Sequence, residues 1–386
     1  TVFAIGAAAR GTIPSVVPMI LLVVNIVVSN SGRRRLVRTL GSIASDDRRI
    51  VGYADLFAEA ASPTFANAEA RDVQARAGKT ASAAALRRLE RILTLGDLRF
   101  SPMAHIIAQA VLLWDTHVID ALDTWRRSNG ARVESWLQAM AELETCVALA
   151  TLAHDNPEWC FPTLEPENGG AVECAGLAHP LLSFRVRVAN DVTIGPSNTV
   201  LFVTGPNMAG KSTLLRSIGV NVVLAQAGGP VCAERMRLGA VRLRTSIHVQ
   251  DAFEEGVSLF MAELIRVKRI VDASREERGA PVLYLIDEML RGTNAEERHI
   301  AVASVLTHLT ATGAIGVVAT HDLELARAPS LAGRARSVHF TAELRESVSG
   351  PRVQFDFRLR PGPATQRNAM RLVEMLGLGA AATRSS

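Results

Sequence analysis

From about Leu40 to Ala153, apolar residues recur at steps of three and four, the period of helices that bury one face. The stretches ASAAALRRLERILTL, SPMAHIIAQAVLLWDTHVIDALDTWRRS and ARVESWLQAMAELETCVALATLAHD carry this pattern. Asp97 and Ser101 fit as caps, and Pro102 fits the first turn of the following helix, where a missing N–H is harmless. The block is expected to be all-helical. Trp114, Trp125 and Trp136 fall within it and read as packing between helices rather than as platforms for nucleic-acid bases. His105 and His117 lack ligand spacing and read as structural.

After NPEWCFPTLEPENGG, a stretch rich in Pro, Gly and Glu, the period changes to short β-like runs set between helical segments. RVRVANDVTI reads as a strand leading to a turn. TVLFVTG, PVLYLIDE and AIGVVATH read as buried strands flanked by helical sequence, an alternation that predicts a mostly parallel sheet with helices packed on it. Three regions follow: residues 1–38, hydrophobic with a basic flank; 39–160, helical; and 161–386, α/β.

The first region is a separate problem. Gly11 to Val28 holds no charged residue and has about the minimum length to span a bilayer. The basic cluster Arg33, Arg34, Arg35 and Arg38 follows it and would face the cytoplasm. Pro14, Pro18 and Asn25 weaken a membrane span, and a helix buried or covered by a partner is the alternative. A signal peptide fits less well, because the apolar run is long and no small-residue cleavage site follows. The chain opens on Thr1 rather than Met, as an excerpt of a longer protein would.

Composition changes this picture little. The 386 residues carry a net charge of +4, an excess that permits an acidic partner without demanding one. Cys146, Cys160, Cys174 and Cys232 form no C-x-x-C pair and read as reduced thiols in a cytosolic environment.

Candidate chemistry sits at the ends of the buried strands. Gly205, Gly210, Lys211 and Ser212 fit G-x-x-x-x-G-K-S/T between a strand and a helix, the Walker A context. Glycines let backbone amides close on phosphate oxygens, and the following helix presents its positive end. Lys211 would reach the β- and γ-phosphates, and the Ser212 hydroxyl would join the Mg²⁺ shell. At the end of VLYLIDE, the Walker B position, Asp287 is placed to hold Mg²⁺ through water and Glu288 to orient and deprotonate the attacking water. His321 in VVATHD, again at a strand end, is placed to contact the γ-phosphate.

The order GPNMAGKST, EEGVSLFMAELIRV, LIDEMLRGTNAEER and ATHDLELA resembles the ATPase domain of the MutS family of DNA mismatch-repair proteins, within the ABC-type ATPase class. The likeness continues in AHPLL (His179, Pro180), ANDV, LAQAGGPVCAE and FRLRPGPATQRNAMRLVEMLGL, and covers about Ala141 to Leu378. It implies an α/β P-loop NTPase fold behind the helical block, and ATP with Mg²⁺ as ligands. By motif match Gly205, Pro206, Asn207, Met208, Ala209, Gly210, Lys211, Ser212 and Thr213 would cradle the nucleotide, Ser212 and Asp287 would hold the metal, and Lys211, Glu288 and His321 would serve catalysis.

The resemblance further implies a homodimer, in which Ser258, just after Gly256, reaches the nucleotide of the partner subunit. Arg291 to Asn294 would form the loop crossing that interface. The helical block is short against the lever arms and DNA clamp of the repair proteins, and the hydrophobic start is similar to MutS-related proteins in which membrane segments precede a compact core. Two functions follow. One is a Mg²⁺-dependent ATPase coupling hydrolysis to conformational change, in repair or recombination on mismatched or branched DNA. The other is a membrane-tethered, ATP-switched scaffold on the inner face of the cell membrane, acting on a protein partner. For DNA, the candidate phosphate contacts are Arg87, Arg88, Arg91, Arg126 and Arg127, although a charge run on a helix is commonly a solvated face. A chromosome-maintenance ATPase would need long coiled-coil heptads, which the sequence lacks.

Overall fold

The computed structural model describes residues 2–25, 27, 47–165, 169–247, 259–276, 279–290, 294–347 and 350–364. By its internal contacts the chain divides into two units, Thr1–Ala148 and Leu149–Ser386.

The described elements of the first unit are helical: α1 (Val2–Ala9), α2 (16–25), α3 (Asp47–Ala61), α4 (Ala68–Arg76), α5 (Lys79–Gly96), α6 (Pro102–Leu112) and α7 (Trp114–Asp155), whose residues from Leu149 belong to the second unit. The three- and four-residue period becomes one buried stripe. Leu86, Leu89, Ile92 and Leu93 of α5 meet Phe57 of α3 and Val118, Leu122, Trp125, Met140 and Leu143 of α7. Each such side chain contributes about 1.5–3 kcal/mol when fully buried. Trp114, Trp125 and Trp136 all pack in or against this core, and the indole N–H of Trp125 donates to the Ala85 carbonyl at 2.7 Å. Ser101 stands at the N-cap of α6 without a side-chain bond, with Pro102 at the first position. Asp97 stands at the C-cap of α5, its backbone N–H donating to the Leu93 and Thr94 carbonyls, and opens a short 3₁₀ turn (Asp97–Phe100).

The single apolar span expected over residues 11–28 does not form as one helix. A turn at 10–15 separates α1 from α2, with Gly11 at φ +71°. Pro14 explains the break: it has no N–H to give to the preceding turn and pushes the residue before it out of the helical region. Among the described residues, no helix is long and apolar enough to cross a membrane. Residues 26 and 28 and the cluster Arg33, Arg34, Arg35 and Arg38 lie outside the described residues.

The second unit is mixed α/β. In chain order it holds β1 (Thr163–Leu164), β2 (Val172–Leu177), β3 (Asn190–Ile194), β4 (Val200–Thr204), α8 (Lys211–Gln226), β5 (Arg235–Leu238), β6 (Arg242–Ser246), α9 (Leu259–Ser274), β7 (Val282–Asp287), α10 (Ala295–Ala311), β8 (Ile315–Ala319), β9 (Ala335–His339), β10 (Ala342–Ser347), β11 (Gly350–Phe355) and β12 (Arg360–Pro361). The main sheet runs β12-β9-β4-β8-β7-β6, parallel except for β12. A second sheet runs β1-β5-β2-β3, and β10 and β11 form an antiparallel pair. The expected strand over RVRVANDVTI begins only at Asn190, and the residues before it form a turn.

Both faces of the main sheet are covered, which is why its strands read as continuous apolar runs. Leu201, Val203, Leu283, Leu285 and Val317 face α8 and the second sheet, in a core with Leu215, Ile218 and Val222. Their neighbours Val200, Phe202, Tyr284, Ile286 and Val318 face α9 and α10, in a core with Ile270, Leu306 and Leu309. This two-residue alternation fixes the register, and with it which strand ends meet at the carboxyl edge. There β4, β8 and β7 lie side by side, Val203 opposite Ala319 and Ala319 opposite Asp287.

Candidate active site

The edge formed by those three strands collects most of the motif residues. β4 is buried throughout, so the chain leaves the core abruptly at Thr204 and must turn at once. Gly205 makes the turn at φ +136°, and a Cβ there would sit 2.7 Å from the Phe340 carbonyl oxygen, so no other residue fits. Gly210, at φ +104°, is the N-cap of α8 and offers no side chain, which leaves the first amides of the helix to a ligand. Lys211 is 6% exposed, and its Nζ donates to the carbonyls of Gly205 at 2.8 Å and Pro206 at 3.0 Å. Ala209 is buried, whereas Met208 stands out into solvent.

A cavity of about 340 Å³ opens beside this loop. Asn207, Met208, Gly210, Lys211, Ser212 and Thr213 line one side, and Asp287 and Glu288 line the other. Asp287 ends β7, and Glu288 follows at φ +52°, its backbone N–H donating to the Ala319 carbonyl at 3.0 Å. That bond ties the carboxylate pair to the end of β8, from which His321 projects. His321 Nδ1 lies 3.5 Å from Glu288 Oε1. A hydroxyl, a carboxylate and a ring of backbone amides beside a lysine fit a polyphosphate with a hard divalent cation such as Mg²⁺.

A second cavity, also about 340 Å³, flanks the same loop and is mainly apolar, with Leu182, Val186, Val188, Phe340 and Phe357 among its walls. Gly210, Thr213 and Phe357 border both cavities, so a ligand bound at the loop has an apolar slot within reach. Such volumes are typical of small-molecule sites. His179 lines this slot; its Nδ1 accepts from the Leu181 N–H at 3.2 Å, and burial, with the nearby positive Arg216, depresses its pKa. A neutral imidazole that accepts at Nδ1 carries its proton at Nε2.

Two motif stretches find their function in holding these walls. Asn190, of ANDV, donates to the Phe357 carbonyl at 3.0 Å and accepts from the Leu359 N–H at 2.6 Å. Asn221 of α8 is fully buried; it donates to the Ala178 and Ser217 carbonyls at 3.0 and 2.8 Å and accepts from the Cys232 N–H at 2.6 Å. It joins α8 to the segment bearing His179. Cys174 and Cys232 are buried packing groups, and burial pushes the Cys174 thiol up to about 12.

Ser258, Gly256 and residues 291–293 lie outside the described residues. Asn294 caps α10, accepting from the Glu297 N–H. Arg87, Arg88, Arg91, Arg126 and Arg127 are exposed on helices of the first unit, with Arg87 paired to Asp55 at 3.3 Å. Phe357 carried no signal in the sequence beyond its place at the start of FRLRPGP. Its position depends on Asn190, a contact across 167 positions that no local pattern encodes.

Residues 201–385 match the family model MutS domain V. Over 254 residues, 64% of its length, the chain is 32% identical to the DNA mismatch repair protein MutS of Natronomonas pharaonis. The matched stretch spans 28% of that relative, less than a third of its length.

Proposed function

The chain belongs to the MutS family through its domain V, and from that premise we propose that it is a Mg²⁺-dependent ATPase working at the cavity between the Gly205–Thr213 loop and the Asp287–Glu288 pair. The observation that carries this reading is the placement of Lys211 and Ser212 on one wall and Asp287 and Glu288 on the other, with His321 Nδ1 3.5 Å from Glu288.

The residues divide the work by their chemistry. Loop amides and Lys211 bind the β- and γ-phosphates, Lys211 exchanging its two loop carbonyls for phosphate oxygens. Ser212 and Asp287 hold Mg²⁺, which neutralises charge on the phosphates when bound. Glu288 accepts a proton from the attacking water, and His321 steadies the γ-phosphate as charge develops. The base lies in the apolar slot against Phe357. Ser258 completes the site from a second copy of the chain, so the working unit is a homodimer, with hydrolysis coupled to conformational change.

DNA is the proposed macromolecular partner, since the relative from Natronomonas pharaonis is a DNA mismatch repair protein. The scaffold alternative is not favoured, because among the described residues no helix is long and apolar enough to cross a membrane.

Glu288→Gln tests the reading. The variant is expected to bind ATP as the parent does and to lose turnover by about 10²-fold or more. Unchanged steady-state hydrolysis would remove Glu288 from the chemistry.

A further inference from the structure

His321 is 56% exposed at its side chain, and the rotamers open to its imidazole depend on the backbone that carries it. The residues that hold it have been assigned no role above, although Thr320 and Asp322 flank it within ATHDLELA. Thr320, just before it, is buried and donates its backbone N–H to Val203 in β4 at 3.1 Å. Asp322, just after it, closes the turn. Its backbone N–H donates to Thr320 Oγ1 at 3.0 Å, and its Oδ1 accepts from the Glu324 N–H at 3.0 Å. The second oxygen, Oδ2, lies 3.1 Å from Nδ1 of His299, one turn into α10. Asp322 is thereby held from two sides, by its own turn and by a helix packed on the sheet.

We propose that Asp322 and His299 are positioning residues that aim His321 at the γ-phosphate and at Glu288. The carboxylate of Asp322 sets the turn, and the imidazole of His299 fixes that carboxylate to α10. His321 is then presented beside Glu288 from a fixed backbone, which narrows the rotamers open to its imidazole. The inference rests on the reading of His321 as a γ-phosphate contact. Small misplacements of a catalytic group cost large factors in rate, so loosening this support should appear in kcat. ATP affinity, set at the loop and the apolar slot, should not follow.

The test is steady-state ATP hydrolysis by the full chain carrying His299→Ala, Asp322→Ala, His321→Ala, and His299→Ala with His321→Ala. The two support variants are expected to lower kcat about tenfold with KM for ATP nearly unchanged. His299→Asn, whose Nδ2 falls near the place of the lost Nδ1, is expected to restore most of the rate. In the His321→Ala background, His299→Ala should add nothing, because a positioning residue has no effect once its target is gone.

An equal loss in that background would overturn the proposal, as would unchanged kcat in both support variants. A loss that Asn fails to restore, accompanied by a lower thermal midpoint, would mark a merely structural pair and also overturn it. If His321→Ala itself retains full kcat, the reading of His321 fails and the inference falls with it. If His321→Ala is impaired and His299→Ala is not, the positioning pair alone is wrong.

Discussion

Asn190 and Phe357 are 167 positions apart in sequence, and the side-chain amide of the first donates to the main-chain carbonyl of the second at 3.0 Å. Through the same amide group the carbonyl oxygen of Asn190 takes the N–H of Leu359. One side chain at the start of β3 thus sets the turn that carries Phe357 at φ +55° between the two cavities.

Replacing Asn190 with Ala leaves both backbone groups without their partner and frees the turn. The expected cost is about 1–2 kcal/mol of stability. ATP affinity should fall by roughly tenfold, because the slot must be ordered on binding. Titration with a fluorescent ATP analogue reads the second effect and a thermal melt the first. Unchanged affinity would show that Phe357 does not serve the nucleotide.

The same turn has an acid-sensitive clasp. Asp356 Oδ2 pairs with Arg360 Nη2 at 2.5 Å, and this hydrogen bond holds the carboxyl below its ordinary 3.8. A carboxyl depressed on folding stabilises the fold above its unfolded value and loses that contribution as pH falls through its folded value. Below about 3.8, stability should therefore drop through this pair. Asp356→Asn should lack that part of the acid limb in melts followed against pH, and an acid limb identical to the parent's would exclude the pair as its source.

Asn221 makes a different prediction, since it is buried and all its bonds are to main chain. Asn221→Leu removes the partners of the Ala178 carbonyl and the Cys232 N–H and is expected to cost about 2–4 kcal/mol, read from denaturant midpoints. The loosened Ala178–His179 segment should also weaken ATP binding. A stability change below about 0.5 kcal/mol would show that water or relaxation replaces the network.

Much of this was legible in the sequence where a pattern is local. The strand ends at Thr204, Asp287 and Ala319 follow from apolar runs broken by Gly205, by the Asp287–Glu288 pair and by the polar Thr320–His321, and parallel pairing then brings them to one edge. The loop from Gly205 to Thr213 declares itself through glycines needed at positive φ. Phe357, His299 and Asp322 were not assigned roles, because each depends on a partner distant in sequence. The N-terminal apolar run shows what composition leaves out: it has about the length of a membrane span, while the described residues turn at 10–15, where Gly11 and Pro14 separate two shorter helices.

DNA binding is open to the most direct physical test. The five candidate arginines are not equivalent: Arg87 is paired with Asp55 at 3.3 Å, and Arg91 and Arg127 donate to main-chain carbonyls of their own helices. An arginine already engaged must give up a partner to reach a phosphate, so Arg88 and Arg126 should contribute more than Arg87. Each phosphate neutralised on duplex DNA steepens the fall of log K with log salt by about 0.9. Arg88→Ala and Arg126→Ala should each therefore flatten the slope by about one, and Arg87→Ala by less. ATP hydrolysis stimulated by duplex or branched DNA should fade over the same salt range. Hydrolysis indifferent to every DNA, with no salt-dependent binding, would separate the ATPase from nucleic acid and leave these arginines as a solvated face.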